Sequence, residues 1–324
     1  MKIVLLGAAG FLGRAAAVEL ARRPEVGELL LVDYIIRDAK RLARHLSPKC
    51  RCAMADVGKP LELTRLLQGI DAVANAVGPC AEYEKPVLMA CAAAGVSVAS
   101  IGDDTLSPAD RGEVHDAFRA AKAAAVSGCG MMPGWTELLN AHFLGGPGSA
   151  QGGSPPGDHA RYLFFSPDRF GGYAFLREIA KSVGSETPSP PGAPAGRYFS
   201  LPGGAAVGVP EDKAGARIAR IANTVGRLGV VGKELAAALL LWLRGSLTGT
   251  PGSPAAACGV ADGGRTARVE DPGGKLAAVL LAETALRLAS RSGKATGLLQ
   301  IHELIGREEA GAIAAAAGAR ISIG

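Results

Sequence analysis

The chain has 324 residues, 35 basic and 30 acidic, giving a net charge of +5, with 45 glycines and 5% aromatic residues. The basic residues form no block, which argues against a nucleic-acid partner, and the longest strongly apolar run, Leu235–Leu243, is too short to cross a bilayer. The length suits two domains with full cores, packed largely by Ala, Leu and Val with close backbone approaches at glycine.

Ile3–Leu6 reads as a buried strand, followed at once by Gly7, Gly10 and Gly13 and an Ala-rich amphipathic helix. A first strand this early leaves no room for a leader peptide. A second apolar run, Leu29–Val32, ends in Asp33, about 20 residues beyond the last glycine, which is the layout of a dinucleotide site. Gly7 permits the tight turn, Gly10 removes a side chain that would block a pyrophosphate, and Gly13 lets helix and strand pack closely. Ala9, Phe11 and Leu12 complete the turn, and the helix N-terminus turns its amides and positive dipole end toward phosphate. Asp33 falls where a carboxylate accepts from ribose hydroxyls. The spacing is G-x-x-G-x-x-G, so the flanking strand, helix and acid carry more weight than the glycines alone.

The alternation continues. A helix over 37–46 stops at Ser47-Pro48, and a strand over 51–54 ends near Asp56 and Val57. A helix over 60–68 carries Pro at its first turn, and a strand over 71–77 includes Asn75 and Val77 and runs into Gly78-Pro79. A helix over 83–94 ends at Gly95, and a strand over 96–101 leads to Gly102-Asp103-Asp104. Ser107 caps a helix over 108–124, a strand over 125–129 follows, and the turn Gly130–Gly134 opens a helix through Leu139. Six βα units predict an α/β chain with a Rossmann-type doubly wound parallel sheet over residues 1–143. The carboxyl ends of its strands form one rim where ligands sit.

The Gly/Ser/Pro tract 145–157 reads as a domain boundary or mobile loop. Residues 144–291 read as a second, α+β domain for substrate binding or dimerisation. It has a strand over 161–165, a helix over 173–183, a loop over 184–196, and a hairpin of 255–261 and 265–270 around Asp262-Gly263-Gly264. Asp271 and Pro272 then open a long helix to about Ser290. The run at 235–243, on a helix from near Lys233, reads first as core, second as a homodimer face, and otherwise as a lipid-facing patch. Residues 292–324 form a C-terminal tail. Cys50, Cys52, Cys80, Cys91, Cys129 and Cys258 show neither metal-site nor paired spacing and read as reduced thiols of a cytoplasmic protein. The five histidines show no metal spacing either.

Several residues on the rim carry chemistry. Asp33 favours NAD over NADP because a carboxylate repels a 2′-phosphate, while Arg37 either meets that phosphate or is a helix-surface charge. Adjacent Asp103 and Asp104 can bind a substrate ammonium, orient a carboxamide or work as acid and base; the plainer alternative is a cap ahead of Ser107. Tyr83 is a candidate proton donor, and Lys85 reads better as a solvated charge. Trp135 and Thr136 begin a helix whose amides can hold a carboxylate, with Trp135 a pocket wall or packing residue. Cys129 reads better as core than as an acid.

These segments together resemble the saccharopine dehydrogenase-like oxidoreductases. GAAGFLGR (7–14) is similar to that family's opening, and the block 75–104 resembles its Asn-x-x-Gly-Pro, helix, strand, Asp pattern. GCGMMPGWTELL (128–139) resembles its Gly-x-x-Pro-Gly turn. Residues 261–289 resemble its second-domain hairpin and helix, and GLLQIHELIG resembles the closing segment that returns to the cofactor domain. The resemblance implies NAD(P) and hydride transfer, at the C=N bond of an amine or imine in the better-known members and at enoyl groups of hydrophobic lipid- or polyketide-like substrates in others. A cofactor-binding scaffold or sensor without catalysis is a third reading. Saccharopine-forming enzymes typically carry Asp where Met132 stands and an aromatic where Cys80 stands. Cys80, Met132, Gly134, Trp135 and Thr136 therefore form a less polar substrate side, which argues against saccharopine itself.

Overall fold

The computed structural model describes residues 1–102, 105–145, 160–166, 171–182, 184–201, 204–211, 213–225, 238, 254–290 and 296–324. Asp103, Asp104, the tract 146–159 and, apart from Ala238, the run at 235–243 lie outside the described residues. The chain forms two compact units, Met1–Gly134 with Ala277–Ile305, and Trp135–Leu276 with Gly306–Gly324.

The first unit alternates strand and helix: β1 (Lys2–Leu6), α1 (Phe11–Arg22), β2 (Glu28–Asp33), α2 (Ile36–Leu46), β3 (Cys50–Met54), α3 (Pro60–Leu66), β4 (Ala72–Asn75), α4 (Cys80–Ala94), β5 (Ser97–Ser100), α5 (Pro108–Ala120) and β6 (Ala124–Ser127). Ile3, Val4, Leu5 and Leu6 are all fully buried. That is why β1 is a continuous apolar run rather than an alternating one: both faces of a parallel sheet are covered. Leu88 and Val87 of α4 and Val114 and Phe118 of α5 share one core with Val4, Val73 and Val98.

In the second unit, α6 (Trp135–Leu139) continues as a π-helical turn, Asn140–Leu144. Then come β7 (Ala160–Phe165), α7 (Tyr173–Ser182), β8 (Glu186–Thr187), β9 (Arg197–Ser200), β10 (Ala205–Val209), α8 (Lys213–Val225), β11 (Ala256–Asp262) and β12 (Arg265–Asp271). Helix α9 (Leu276–Ser290) leads back to the first unit, which also takes β13 (Gly297–Leu299) and α10 (Ile301–Leu304); α11 (Arg307–Ala316) and β14 (Arg320–Ile323) belong to the second.

The first sheet runs β13-β6-β5-β4-β1-β2-β3 with every pair parallel, so its order reverses direction between β1 and β4. The second runs β14-β12-β11-β7-β10-β9-β8 and is antiparallel except where β10 meets β7. This is the expected α/β class, a doubly wound parallel sheet plus an α+β unit. The hairpin forms as read: Asp262 pairs with Arg265, and Gly263 and Gly264 take φ of 53° and 82°, as a type I′ turn requires.

Several boundaries differ from the sequence reading. Helix α4 begins at Cys80 rather than Tyr83 and carries Pro86 inside it, with Pro79 as N-cap. Helix α5 stops at Ala120, because Lys122 turns at φ 54° ahead of β6. Arg197–Ser200 and Ala205–Val209, not read as strands, form β9 and β10. The long helix starts at Leu276, since Gly273 and Gly274 occupy a turn closed by the Asp271 carboxylate. The units also divide differently from 1–143, 144–291 and 292–324. Ala277–Ser290 is tied into the first unit by an ion pair of Glu283 with Arg23, and the tail is shared, with 297–299 extending the first sheet and 320–323 the second.

Candidate functional site

The site of interest is the carboxyl edge of the first sheet. Gly7 ends β1 at φ 72°, its carbonyl accepts from the Gly10 amide at 3.1 Å, and α1 begins at Phe11. A Cβ at Gly13 would collide with the Gly7 carbonyl oxygen, while one at Gly10 would lie 3.2 Å from it. Gly13 is thus a packing glycine, and Gly10, exposed at the turn, keeps the approach open. Gly10 lends α1 no side-chain cap, so the first-turn amides keep their capacity for an anion.

Asp33 is joined to this turn. Its Oδ2 accepts from the Ala9 amide at 2.8 Å and its Oδ1 from the Ile35 amide at 2.9 Å. Beyond it Tyr34, Ile35 and Met54 are 72%, 52% and 66% exposed, an apolar edge at the ends of β2 and β3. Asp56 closes its own turn by accepting from Gly58, and Val57 packs on the core. Arg37 is not brought in: it is exposed on α2 and pairs with Asp38 at 3.3 Å. Arg14, which sequence reasoning passed over, is the basic residue at the turn, its Nε donating to the Ala9 carbonyl at 2.7 Å. Its place directly after Gly13 was the available signal.

Across the switch point, the Ala76–Val77 backbone packs against Gly7. Asn75 is fully buried; its Oδ1 accepts from the Val77 amide at 3.2 Å and its Nδ2 donates to Ser100 Oγ at 2.9 Å. Gly78 and Pro79 are half-buried and lead into α4. Ser100 and Ser127 donate to the two oxygens of Glu84, at 2.6 and 2.7 Å. Glu84 is 1% exposed, and sequence reasoning assigned it no role. Its signal was helical spacing, because Val87, Leu88 and Cys91 occupy the same buried face.

Tyr83 is half-buried beside it. Lys85 faces outward, with Asp110 at 2.5 Å and Glu113 at 2.6 Å; these partners raise the lysine, and it lowers Asp110. Of the substrate-side residues, Met132 is half-buried, Cys80 is buried at the start of α4, and Gly134 turns at φ 123°. Trp135 and Thr136 are wholly buried; Trp135 Nε1 has no hydrogen-bond partner among the described residues, and Thr136 donates to Glu137. Burial pushes the Cys129 thiol up to about 12, so it stays protonated and suits a core role, as its sequence position indicated. Among the described residues no group of His, Cys, Asp and Glu could hold a metal ion, and no helix is long and apolar enough to cross a membrane.

A doubly wound sheet, a glycine cradle that a Cβ would fill, and an acid at the end of β2 define a nicotinamide-dinucleotide-binding protein with a second α+β unit. Residues 3–127 match the family model described as the saccharopine dehydrogenase NADP binding domain, in line with the resemblance noted in the sequence. Carboxyaminopropylagmatine dehydrogenase of Synechocystis sp. is 30% identical over 155 residues, covering 44% of this chain and 37% of that protein. The trans-acting enoyl reductase of Mycobacterium tuberculosis is 30% identical over 102 residues, covering 31% and 24%. The chain thus matches 37% and 24% of these relatives' own length. Apo saccharopine dehydrogenase (L-Glu forming) from Saccharomyces cerevisiae superimposes with a TM-score of 0.61 at 12% identity, covering 100% of this chain and 99% of that one, and so shares the fold.

Proposed function

We propose that the chain is an NAD(P)-dependent oxidoreductase that moves a hydride to or from the C=N bond of an amine or imine substrate. The observation that carries it is the Gly7–Gly13 cradle, with Asp33 bonded to the Ala9 amide inside it. Ala9, Phe11 and Leu12 would line the pyrophosphate, and Asp33, Asp56 and Val57 the adenosine, with Tyr34 and Met54 offering apolar surface to a flat ring. Asn75, Val77, Gly78 and Pro79 would flank the nicotinamide. Bound there, the dinucleotide supplies the hydride chemistry, and the chain's own residues bind, orient and exclude water. Asp103 and Asp104 are proposed to hold a substrate ammonium and Tyr83 to hold a proton, with Cys80, Met132, Gly134, Trp135 and Thr136 on the substrate side. The Synechocystis relative's name favours C=N chemistry. The mycobacterial relative's name, with Met132 and Cys80, favours an enoyl substrate as the second reading.

Fluorescence titration with NADH and NADPH tests the cofactor. Saturable binding, tighter for NADH, is expected, and binding of neither would overturn the reading. Turnover of imines but not enoyl thioesters would then separate the two substrates. The NAD preference rests on Asp33, whose carboxylate would repel a 2′-phosphate. Asp33→Ala is expected to weaken NADH about tenfold, as for a charged hydrogen bond, and to narrow the gap to NADPH. Unchanged affinity for both would remove Asp33 from the ribose site. The six thiols fit a reducing, cytoplasmic setting. A homodimer, resting on the run at 235–243, is tested by light scattering.

A further inference from the structure

Among the described residues, Glu84 is the one buried carboxylate of the first unit. Its neighbours are arranged with a direction. Asn75, Ser100 and Ser127 are paired across β4, β5 and β6 at the carboxyl edge of the sheet. Ser100 Oγ accepts from Asn75 Nδ2 at 2.9 Å and from the Gly102 amide at 3.4 Å, so both of its lone pairs are engaged. Its hydrogen is thereby committed to Glu84 Oε2, at 2.6 Å. With Nδ2 turned to Ser100, Asn75 must present Oδ1 to the Val77 amide. The Ala76–Val77 backbone in turn forms the wall behind Gly7: a Cβ there would meet Ala76 O at 2.8 Å and Val77 N at 3.0 Å.

We propose that Glu84 is a positioning residue of the dinucleotide site, acting through Ser100 and Asn75 to hold the 75–77 turn against the glycine cradle. The role in cofactor binding rests on the function proposed above; the hold on the turn does not. What the position requires is an acceptor toward Ser100. Glutamine supplies one by turning its amide nitrogen to Ser127, whereas leucine supplies none. Gly102 offers an independent handle, because a Cβ there would collide with Glu84 Oε1 and lie 2.6 Å from Ser127 Oγ.

The test is amide hydrogen exchange of Val77 by NMR in the full chain, with the Ala76 amide, bonded to the Leu6 carbonyl at 3.0 Å, as internal control. Glu84→Leu and Ser100→Ala are expected to speed Val77 exchange about tenfold and leave Ala76 unchanged, the scale of one buried hydrogen bond. The NADH Kd should rise by a similar factor. Glu84→Gln should restore both to near wild type, and Gly102→Ala should reproduce the Glu84→Leu pattern. If Glu84→Leu fails to fold, Ser100→Ala and Gly102→Ala carry the same comparison. Unchanged Val77 protection, or equal acceleration of both amides, overturns the proposal. Wild-type protein that binds neither NADH nor NADPH overturns the proposed function and the cofactor half of this inference, while Val77 exchange still decides whether Glu84 holds the turn.

Discussion

Gly13→Ala is expected to abolish measurable cofactor binding and to cost the first unit about 2–3 kcal/mol of stability, the range for overpacking a tight site. The added methyl would collide with the Gly7 carbonyl oxygen and lie 2.9 Å from Ala8 Cα and from Gly7 C. All three are backbone atoms, so no side-chain rotation relieves the contact; either α1 withdraws from β1 or the turn opens. Both movements spoil the alignment of the α1 N-terminus with the turn. Gly10→Ala separates packing from ligand approach: its Cβ meets only the Gly7 oxygen, at 3.2 Å, and Gly10 has an ordinary φ of −68°. That variant should keep a melting temperature near wild type while losing affinity. Thermal unfolding beside NADH titration measures both, and wild-type affinity in Gly13→Ala would show that the cradle is not the dinucleotide site.

The glycine turn was legible because its determinants are local. A buried strand, a positive φ and a helix start all fall within a few residues, and Asp33 follows at the end of the next strand. The same holds for the 262–265 hairpin turn. Strands β9 and β10 were not legible, because what makes them strands is distant. Gly208 takes the ring of Tyr198 against its backbone, and Gly259 on β11 does the same for Tyr162, whose ring meets Tyr198 edge-on at 6.2 Å. A glycine that serves as a bed for an aromatic ring reads in sequence as a strand breaker. The seventh strand of the first sheet, residues 297–299, is likewise decided by pairing with β6, far away in the chain.

The candidate site divides along the same line. Asp33, Gly7 and Asn75 sit at strand ends, where the rule for doubly wound sheets places ligands, and position alone marks them. Glu84 sits on a helix, and its neighbours Tyr83 and Lys85 carry more familiar chemistry. Lys85 proves to be a surface charge held by Asp110 and Glu113 on the next helix. The partners of Glu84 come from two other strands, so its role emerges only when β5 and β6 are side by side. Trp135 was legible as a large residue beside a turn but not as a fully buried one, since burial depends on everything packed over it.

Asp271→Ala should destabilise the second unit by about 3–5 kcal/mol. The carboxylate is fully buried and accepts three backbone amides: Gly273 at 3.1 Å and Gly274 at 2.9 Å on Oδ1, and Leu276 at 2.7 Å on Oδ2. Alanine leaves them without their acceptor; Gly273 is exposed to water, and each of the other two, buried, costs about 1–3 kcal/mol when unmet. Burial raises this carboxyl above its ordinary value, and the three amides and Lys275 pull it back only in part. The sign follows from linkage: between the unfolded and the raised folded value, the native state binds more proton than the unfolded one. The contribution of Asp271 to stability is therefore greatest at acid pH and declines as pH rises through that window, then stays level toward neutrality. Asp271→Asn keeps an acceptor but cannot titrate. Denaturant unfolding of wild type and Asp271→Asn across the carboxylate range should show the stability gap between them change in that direction. A gap independent of pH would mean that the amides offset burial in full, and a gap that changed in the opposite direction would mean that the capping bonds outweigh burial.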